Sequence, residues 1–480
     1  MRKTILLLAS MALAMLFSCS SNRNHPAATG QSTTAKPNIV FILADDMRFD
    51  DLKYMPKTRS LLKDEGMSFG NAFVSNALCC PSRATIMRGQ YSHNNGVWSN
   101  DNGWHTYKVS GDEADNVATR LGAAGYRTGL FGKYLNGYDG STVPVGWDDW
   151  FGVVTGYDEY HDLAPEYLDY DVNNNGTMRH FGTEPSDYST DVLSRQTKQF
   201  IGASAAQGKP FFAYVTPIAP HTPNSPAARD LNTYSGEKAP RTPSFNEASV
   251  SDKPSWIRSL PLLGSYQIKK VDRSQQKRAE TLQALDDLVA GVVGKLHNAG
   301  VMSNTYIFFT SDNGFHQGEH RIPKNKWRPY EEDIHVPLLV RGPGVAAGST
   351  THKMALNTDY LPTFTALAGT QTPSYVDGRS LRPVLKGGVT AWRSTILLEA
   401  VANYPSTHQP AYAGIRTSTD PKRKYIEYES GARELYYLDS DPYELTNRYK
   451  AATPPAGLAS RLRALKNCSA DTCRTAENGQ

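Results

Sequence analysis

The sequence predicts an α/β fold: a mostly parallel sheet flanked by helices, followed by a smaller C-terminal subdomain built on an antiparallel sheet. Three observations carry this expectation. Asn38 to Ala44 and Tyr306 to Thr310 are continuous apolar runs of strand length, suited to strands buried on both faces. Strand-like and helix-like segments alternate between them, which supports parallel pairing with helical cover on both sides. After Gly369 the texture changes to short strand runs separated by turns.

At 480 residues, the chain is long enough for one large core or two smaller ones, and 39% of its residues are hydrophobic. A mean hydropathy of −0.50 suits a soluble globular protein. The net charge of +4 is slight for this size, and no basic tract stands out along the chain. That argues against a dedicated nucleic-acid binder. Arg2 and Lys3 precede an apolar stretch, Ile5 to Leu16, too short to span a bilayer. Residues 1–19 therefore read as a signal peptide, and the chain as exported, periplasmic or at the cell surface. The ending Leu16-Phe17-Ser18-Cys19 resembles a bacterial lipobox with Cys19 as the lipid-anchored residue. Ordinary cleavage without lipid is the alternative. Residues 20–36 form a polar linker suited to a flexible tether.

The first apolar run stops at Asp45-Asp46, at the C-terminal end of a strand, where open α/β sheets place their sites. A capping pair is the plainer reading. Cys79-Cys80-Pro81-Ser82-Arg83 then opens a helix, with Pro81 expected at its first position. Free N–H groups and the helix dipole there favour anions and lower a thiol's pKa. A buried cysteine pair beside a proline turn fits these five residues equally well. Asp115 to Ala124 reads as a helix stopped by Gly125, and Tyr126 to Phe131 as a strand ending in Gly132-Lys133. Trp147 to Phe151 reads as an aromatic loop forming a satellite hydrophobic cluster. Asp171 to Gly176 imitates the start of an EF-hand loop, but the twelfth position is Gly182 rather than Glu, so the stretch reads as a turn.

Asp191 to Ile201 is helical, and Pro210 to Val215 is a strand leading to Ala219-Pro220-His221-Thr222-Pro223. A histidine between prolines past a strand end is held rigidly. Thr222 to Leu263 is rich in Pro and Ser, and a loop of that length suggests a lid or rim. Leu282, Leu285, Leu288, Val289, Val292, Val293 and Leu296 keep helical spacing up to Gly300. The second apolar run ends in Asp312-Asn313, so two buried strands each end in a pair of oxygen donors. A hard divalent cation, Ca²⁺ before Mg²⁺, is the guest such donors suit. Lys326 to Glu331 precedes a strand at Val336 to Val340, and Asn357 to Ala368 is a helix. Thr395 to Leu398, Tyr412 to Arg416, Lys424 to Tyr428 and Glu434 to Leu438 suggest the small antiparallel sheet. An exported chain permits a disulfide between Cys468 and Cys473.

Taken together, these motifs resemble the type I, formylglycine-dependent sulfatases, over most of Pro37 to Leu381. Cys79-Cys80-Pro81-Ser82-Arg83 is similar to the family's C-x-P-S-R core, although its usual Thr-Gly ending is Arg88-Gly89 here. The resemblance implies an alkaline-phosphatase/sulfatase-like fold and conversion of Cys79 to formylglycine, whose hydrate is the nucleophile. Asp45, Asp46, Asp312 and Asn313, with residue 79, take the metal-ligand slots. Arg83, Lys133 and Lys326 take the slots of the charge-neutralising residues, and His221 that of the proton donor to the sugar oxygen. Many relatives carry Lys-x-His where this chain has Lys133-Tyr134-Leu135, and leucine moves no proton. The Cys80 and Gly132-to-Asn136 regions look most like N-acetylglucosamine-6-sulfatases, implying a sulfated saccharide substrate. A formylglycine-generating or anaerobic maturation enzyme is the implied partner.

On this reading residues 37–385 form the catalytic domain and 386–480 the C-terminal subdomain. One rival is a phosphate or phosphonate ester hydrolase of the alkaline-phosphatase superfamily. Another is a non-catalytic lipoprotein that binds sulfated glycans.

Overall fold

A computed structural model describes residues 36–156, 167–402, 409–419, 421–453 and 455–478. The predicted signal peptide, the lipobox cysteine and all but the last linker residue lie outside the described residues. The central strands in chain order are Asn38–Ala44 (β1), Arg127–Lys133 (β2), Asp149–Val153 (β3), Phe211–Thr216 (β4), Thr305–Ser311 (β5) and Leu338–Arg341 (β6). They belong to a ten-stranded sheet. Its middle, β5-β1-β4-β2-β3, is parallel throughout.

The flanks are mixed, with antiparallel pairs and one parallel pair, Ser349–Thr351 beside Met67–Phe69. The expected Val336-to-Val340 strand appears as β6, antiparallel to β5, with Leu339 opposite Phe309. Only a short excursion through 312–337 separates the two strands, with no crossover helix long enough for parallel return. The other flank ends in the hairpin Tyr170–Asn174/Thr177–Phe181. Its tip, Asn175-Gly176, has positive φ at both residues (50° and 87°), the geometry of a tight two-residue hairpin turn. The turn reading of this stretch therefore holds at the tip, while 171–174 are strand. Trp147 to Phe151 corrects more fully: residues 149–153 are a sheet strand, with Trp150 and Phe151 buried on opposite faces.

Period-2 alternation divides β1 between two cores. Ile39, Phe41 and Leu43 join one cluster, and Val40, Ile42 and Ala44 the other. Helices Ser189–Ala206 (α2) and Ser265–Asn298 (α3) cover the second face. On the first face lie Cys79–Arg88 (α1), which is buried throughout, and Tyr360–Leu367 (α4). The small four-stranded antiparallel sheet, Thr395 to Tyr437, adds Ile396, Ile415 and Ile426 to that same cluster. The long Thr222-to-Leu263 segment has little regular structure but is pinned. Asn246 N donates to Gly318 O at 2.8 Å, and Lys253 Nζ to Leu445 O at 2.7 Å. Cys468 and Cys473 are disulfide-bonded.

Candidate active site

Register brings the two acidic pairs together. Ala44 stands opposite Ser311 at the common end of β1 and β5, so Asp45-Asp46 and Asp312-Asn313 leave the sheet side by side. Asp46 N donates to Asp312 Oδ1 at 3.1 Å, and Asn313 Nδ2 donates to Asp46 Oδ1 at 2.7 Å. Asp46 has φ 66°, in the left-handed region that Asp tolerates better than most side chains. That conformation is held by Arg278 of α3, which donates to the Asp46 carbonyl at 2.7 Å.

The cysteine motif arrives from the opposite direction. α1 begins at Cys79 itself, after an extended Leu78, so Pro81 is its third residue rather than its first. The proline remains in the first turn, where a missing N–H leaves no intrahelical bond unmade. Cys79 Sγ sits 3.4 Å from Asp45 Oδ1 and 3.8 Å from Asp46 Oδ1, and Lys326 Nζ approaches it at 2.7 Å. Lys326 also bonds Asp46 Oδ1. Lys133, at the end of β2, donates to Asp45 Oδ2 at 2.6 Å. Gly132 makes that approach possible: it has φ 123°, and a Cβ there would lie 2.1 Å from Thr216 O. Arg83 donates from Nε to Asp312 Oδ2 at 2.8 Å, and one of its terminal nitrogens lies 3.4 Å from Asp45 Oδ2. All nine sequence-predicted site residues thus fall in one connected set; His221 completes it, with Nε2 3.7 Å from Asp46 Oδ2.

Burial and charge set the protonation states. Burial would raise the Asp45 carboxyl, but Lys133, His221, Arg83 and Lys326 outweigh it and hold Asp45 well below the usual carboxylate range. Asp312 goes the other way, to about 6, through burial and the neighbouring Asp45. The Cys79 thiol is pushed well up by burial and Asp45. The lowering expected of a helix N-terminus does not prevail, because the thiol is fully buried against carboxylates. An unmodified Cys79 is therefore a neutral, poorly nucleophilic thiol. Burial drives His221 down to about 4. Its Nδ1 bonds the Thr222 carbonyl, so in the neutral ring Nδ1 carries the proton and Nε2 faces Asp46.

The donor set fits a hard cation. Asp45, Asp46, Cys79 and His221 each bring one donor atom within 4.8 Å of the others. Asn313 Oδ1 is buried without a hydrogen-bond partner, the kind of orphaned oxygen a cation would satisfy. Asp312 lies outside that quartet, its two oxygens already accepting from Asp46 N and Arg83. Two supports escaped the sequence reading. Arg278 lies ahead of the apolar stripe, Leu282 to Leu296, that marked its helix. Tyr167, whose hydroxyl donates to the His221 carbonyl at 2.8 Å, sits in no motif. Ser311 did stand next to a motif residue; it accepts from Met47 N and donates to Asn313 O, both at 2.8 Å.

This arrangement has close counterparts. The Sulfatase family profile matches residues 37–370. The chain belongs to the sulfatase family. A second profile, N-sulphoglucosamine sulphohydrolase C-terminal, matches residues 318–466. The human N-acetylglucosamine-6-sulfatase is 33% identical over 92% of this chain and 86% of its own length. An extracellular sulfatase SULF-1 homologue from Drosophila melanogaster is 34% identical over 86% of this chain. The chain spans only 38% of that relative's length. Among solved structures, a complex with its substrate D-glucosamine-2-N,6-O-disulfate superposes with TM-score 0.74 at 25% identity, over 93% of this chain and 99% of the other. As a family member this sulfatase is a sulfuric ester hydrolase. Its Leu135, where many members carry histidine, is fully buried in the apolar core and offers no proton.

Proposed function

We propose that this sulfatase removes O-sulfate from sulfated carbohydrate and prefers 6-O-sulfated N-acetylglucosamine units. Cys79, converted to formylglycine, is the proposed nucleophile residue. One observation carries the reading: Cys79 Sγ, the precursor of the reacting group, lies against Lys326 Nζ (2.7 Å) and the Asp45-Asp46 pair (3.4 and 3.8 Å). The 6-sulfate preference is supported by likeness to N-acetylglucosamine-6-sulfatases over nearly the whole chain. The 6-O-sulfated substrate in the similar complex supports it too.

Asp45, Asp46, Asp312 and Asn313, with residue 79, would hold a divalent cation, Ca²⁺ foremost. Such an ion supplies electrostatic stabilisation of sulfate and nucleophile oxygens. The formylglycine hydrate supplies the attacking hydroxyl. The chain's own groups then divide the remaining work. Three carboxylates, Asp45, Asp46 and Asp312, face three fixed cations, Arg83, Lys133 and Lys326. The protein charges thus balance, and a divalent cation adds the surplus that an anionic ester requires. Lys133 and Lys326, both pulled above the usual lysine range by these carboxylates despite burial, stay charged to bind sulfate oxygens. His221, whose side chain is 17% exposed where Asp46 is 1%, lies on the more open side and is the proposed proton donor to the departing sugar oxygen. We further propose export, maturation of Cys79 by a formylglycine-forming enzyme, lipid anchoring at Cys19, and the 37–385/386–480 division.

Peptide mass spectrometry at position 79 and kcat/KM on 2-O-, 4-O- and 6-O-sulfated sugars and a phosphonate monoester test the reading. We expect the aldehyde at 79, not at 80, and fastest turnover of the 6-sulfate. Unmodified Cys79 in fully active protein would overturn the mechanism. Faster phosphonate turnover would favour the ester-hydrolase rival. Glycan binding without turnover would favour the non-catalytic one.

A further inference from the structure

No basic tract is visible along the chain, yet α3 assembles one on its surface. Tyr266, Lys270, Arg273 and Lys277 recur at i, i+4, i+7 and i+11. They therefore share one helix face over about 16 Å. Tyr266 is 66% exposed, and Lys270 Nζ lies 4.6 Å above its ring. Lys270 and Arg273 are exposed and Lys277 half-buried. Among the described residues none of these three cations forms an ion pair. The carboxylate within this stretch, Asp272, is off the face and bound to Arg241 at 2.7 Å.

A fourth cation joins from another element. Lys324 is exposed, and its amine is held below the usual lysine range by partial desolvation and then by Arg278, Lys270 and Lys277. Lys324 therefore stands close enough to Lys270 and Lys277 to be repelled by them, and no carboxylate among its neighbours offsets this.

The stripe lies close in sequence to residues that touch the catalytic centre. Lys324 is two residues from Lys326, which touches Cys79 and keeps 9% of its side chain exposed. Arg278, the residue after Lys277, donates to the Asp46 carbonyl at 2.7 Å. The face continues along α3 to Tyr266.

We propose that this stripe is a track for a sulfated oligosaccharide, binding anionic groups on sugar units beyond the one whose sulfate is cleaved at residue 79. This deepens the functional reading above and rests on it. A strand of sulfated sugars is a polyanion, so an acid-free row of cations near the reacting group complements it in sign. Tyr266 ends the row with an exposed ring on which a sugar face can lie.

The test uses the full chain and two probes: a labelled heparin-derived octasaccharide for binding, and 6-sulfo-N-acetylglucosamine for turnover. The double variant Lys270→Ala/Lys277→Ala should bind the octasaccharide roughly tenfold more weakly, with a shallower salt dependence. Lys270→Arg/Lys277→Arg should restore binding. Turnover of the monosaccharide, too short to reach α3, should be equal in all three proteins. Undiminished octasaccharide binding in the alanine variant would overturn the proposal. So would equal losses on octasaccharide binding and monosaccharide turnover. Wild-type protein that binds the octasaccharide through these lysines yet desulfates no sugar would refute the sulfatase reading and leave the track standing.

Discussion

Two of the buried ion-pair clusters among the described residues stand in contrast. At the end of β1 and β5, Asp45, Asp46 and Asp312 surround Cys79 with Arg83, Lys133 and Lys326. Beneath the C-terminal helix Asp471–Asn478, Arg393 pairs with Asp359 and Glu477, and Tyr91 and Arg379 donate to Glu477 at 2.6 and 2.9 Å. Both are buried. In the C-terminal cluster the carboxylates are filled from the protein: Asp359 also accepts from the Leu356 and Arg379 amides, each at 2.9 Å. In the first, like charges crowd, Asp312 is raised to about 6, and Asn313 Oδ1 has no partner. The C-terminal network ties the chain's end to the core, and the buried atoms it leaves without a hydrogen bond, Arg393 Nε and Nη1 and Arg379 Nε, are all guanidinium nitrogens. The other leaves an oxygen donor, Asn313 Oδ1, open among crowded carboxylates. Burial of charge alone does not mark a site; an unsatisfied oxygen donor among crowded carboxylates does.

The contrast breaks most visibly under mutation. Cys79→Ala or Asp45→Asn should lower sugar-sulfate turnover by roughly 10⁴-fold or more, with the denaturation midpoint little changed for Cys79→Ala. Exhaustive metal stripping should act in the same direction and be reversed by Ca²⁺. Activity assays on protein of verified fold and metal content check both, and full activity after verified stripping would sink the cation.

Glu477→Ala should do the reverse. It leaves Arg393 buried against one carboxylate fewer, which should cost about 3–5 kcal/mol of stability. Turnover per folded molecule should stay at the wild-type level. Denaturant unfolding alongside kcat measures both sides of the claim.

His221 sharpens the comparison within the site. Its loss should lower sugar-sulfate kcat/KM by roughly 10²–10³-fold. Nitrophenyl sulfate, whose leaving group hardly needs a proton, should suffer far less. Burial holds the free-enzyme imidazole near 4, below its ordinary value. The protonated fraction therefore falls as pH rises above about 4, and with it the ratio of sugar-sulfate to aryl-sulfate kcat/KM. Equal losses on both substrates, or a pH-independent ratio, would assign His221 to positioning.

The smallest expected effect is at the chain's end. The Cys468–Cys473 disulfide closes a loop of sequence separation 5. Its removal by Cys468→Ser/Cys473→Ser should cost roughly 2 kcal/mol, without loss of kcat. Matched unfolding curves would show it.

Much of this was legible because it is local. Apolar runs that end in oxygen donors announce buried strands and a site at their C-terminal edge, and β1 and β5 are those strands. Leu282 to Leu296 kept helical spacing within α3 because burying one stripe demands it. The errors also have local causes. Trp147 to Phe151 shows no period-2 polarity because β3 is buried on both faces, so its strand character had no pattern to betray it. The Val336-to-Val340 run carries no mark of direction, and pairing sense follows from the path of the connection.

The sequence by itself determined the residue types, the two acidic pairs, the nucleophile motif and the lysines, because chemistry and spacing reside in the chain. Tertiary structure alone decided what those residues experience. Register placed Ala44 beside Ser311 and so fused two pairs 266 residues apart into one site. Packing put carboxylates and apolar surface around Cys79, reversing the pKa shift its helix position suggested. The α3 face gathered cations scattered over 266–277 with Lys324 from a separate loop. Each outcome depends on distances through space that covalent order does not specify, and electrostatics and desolvation respond to those distances alone.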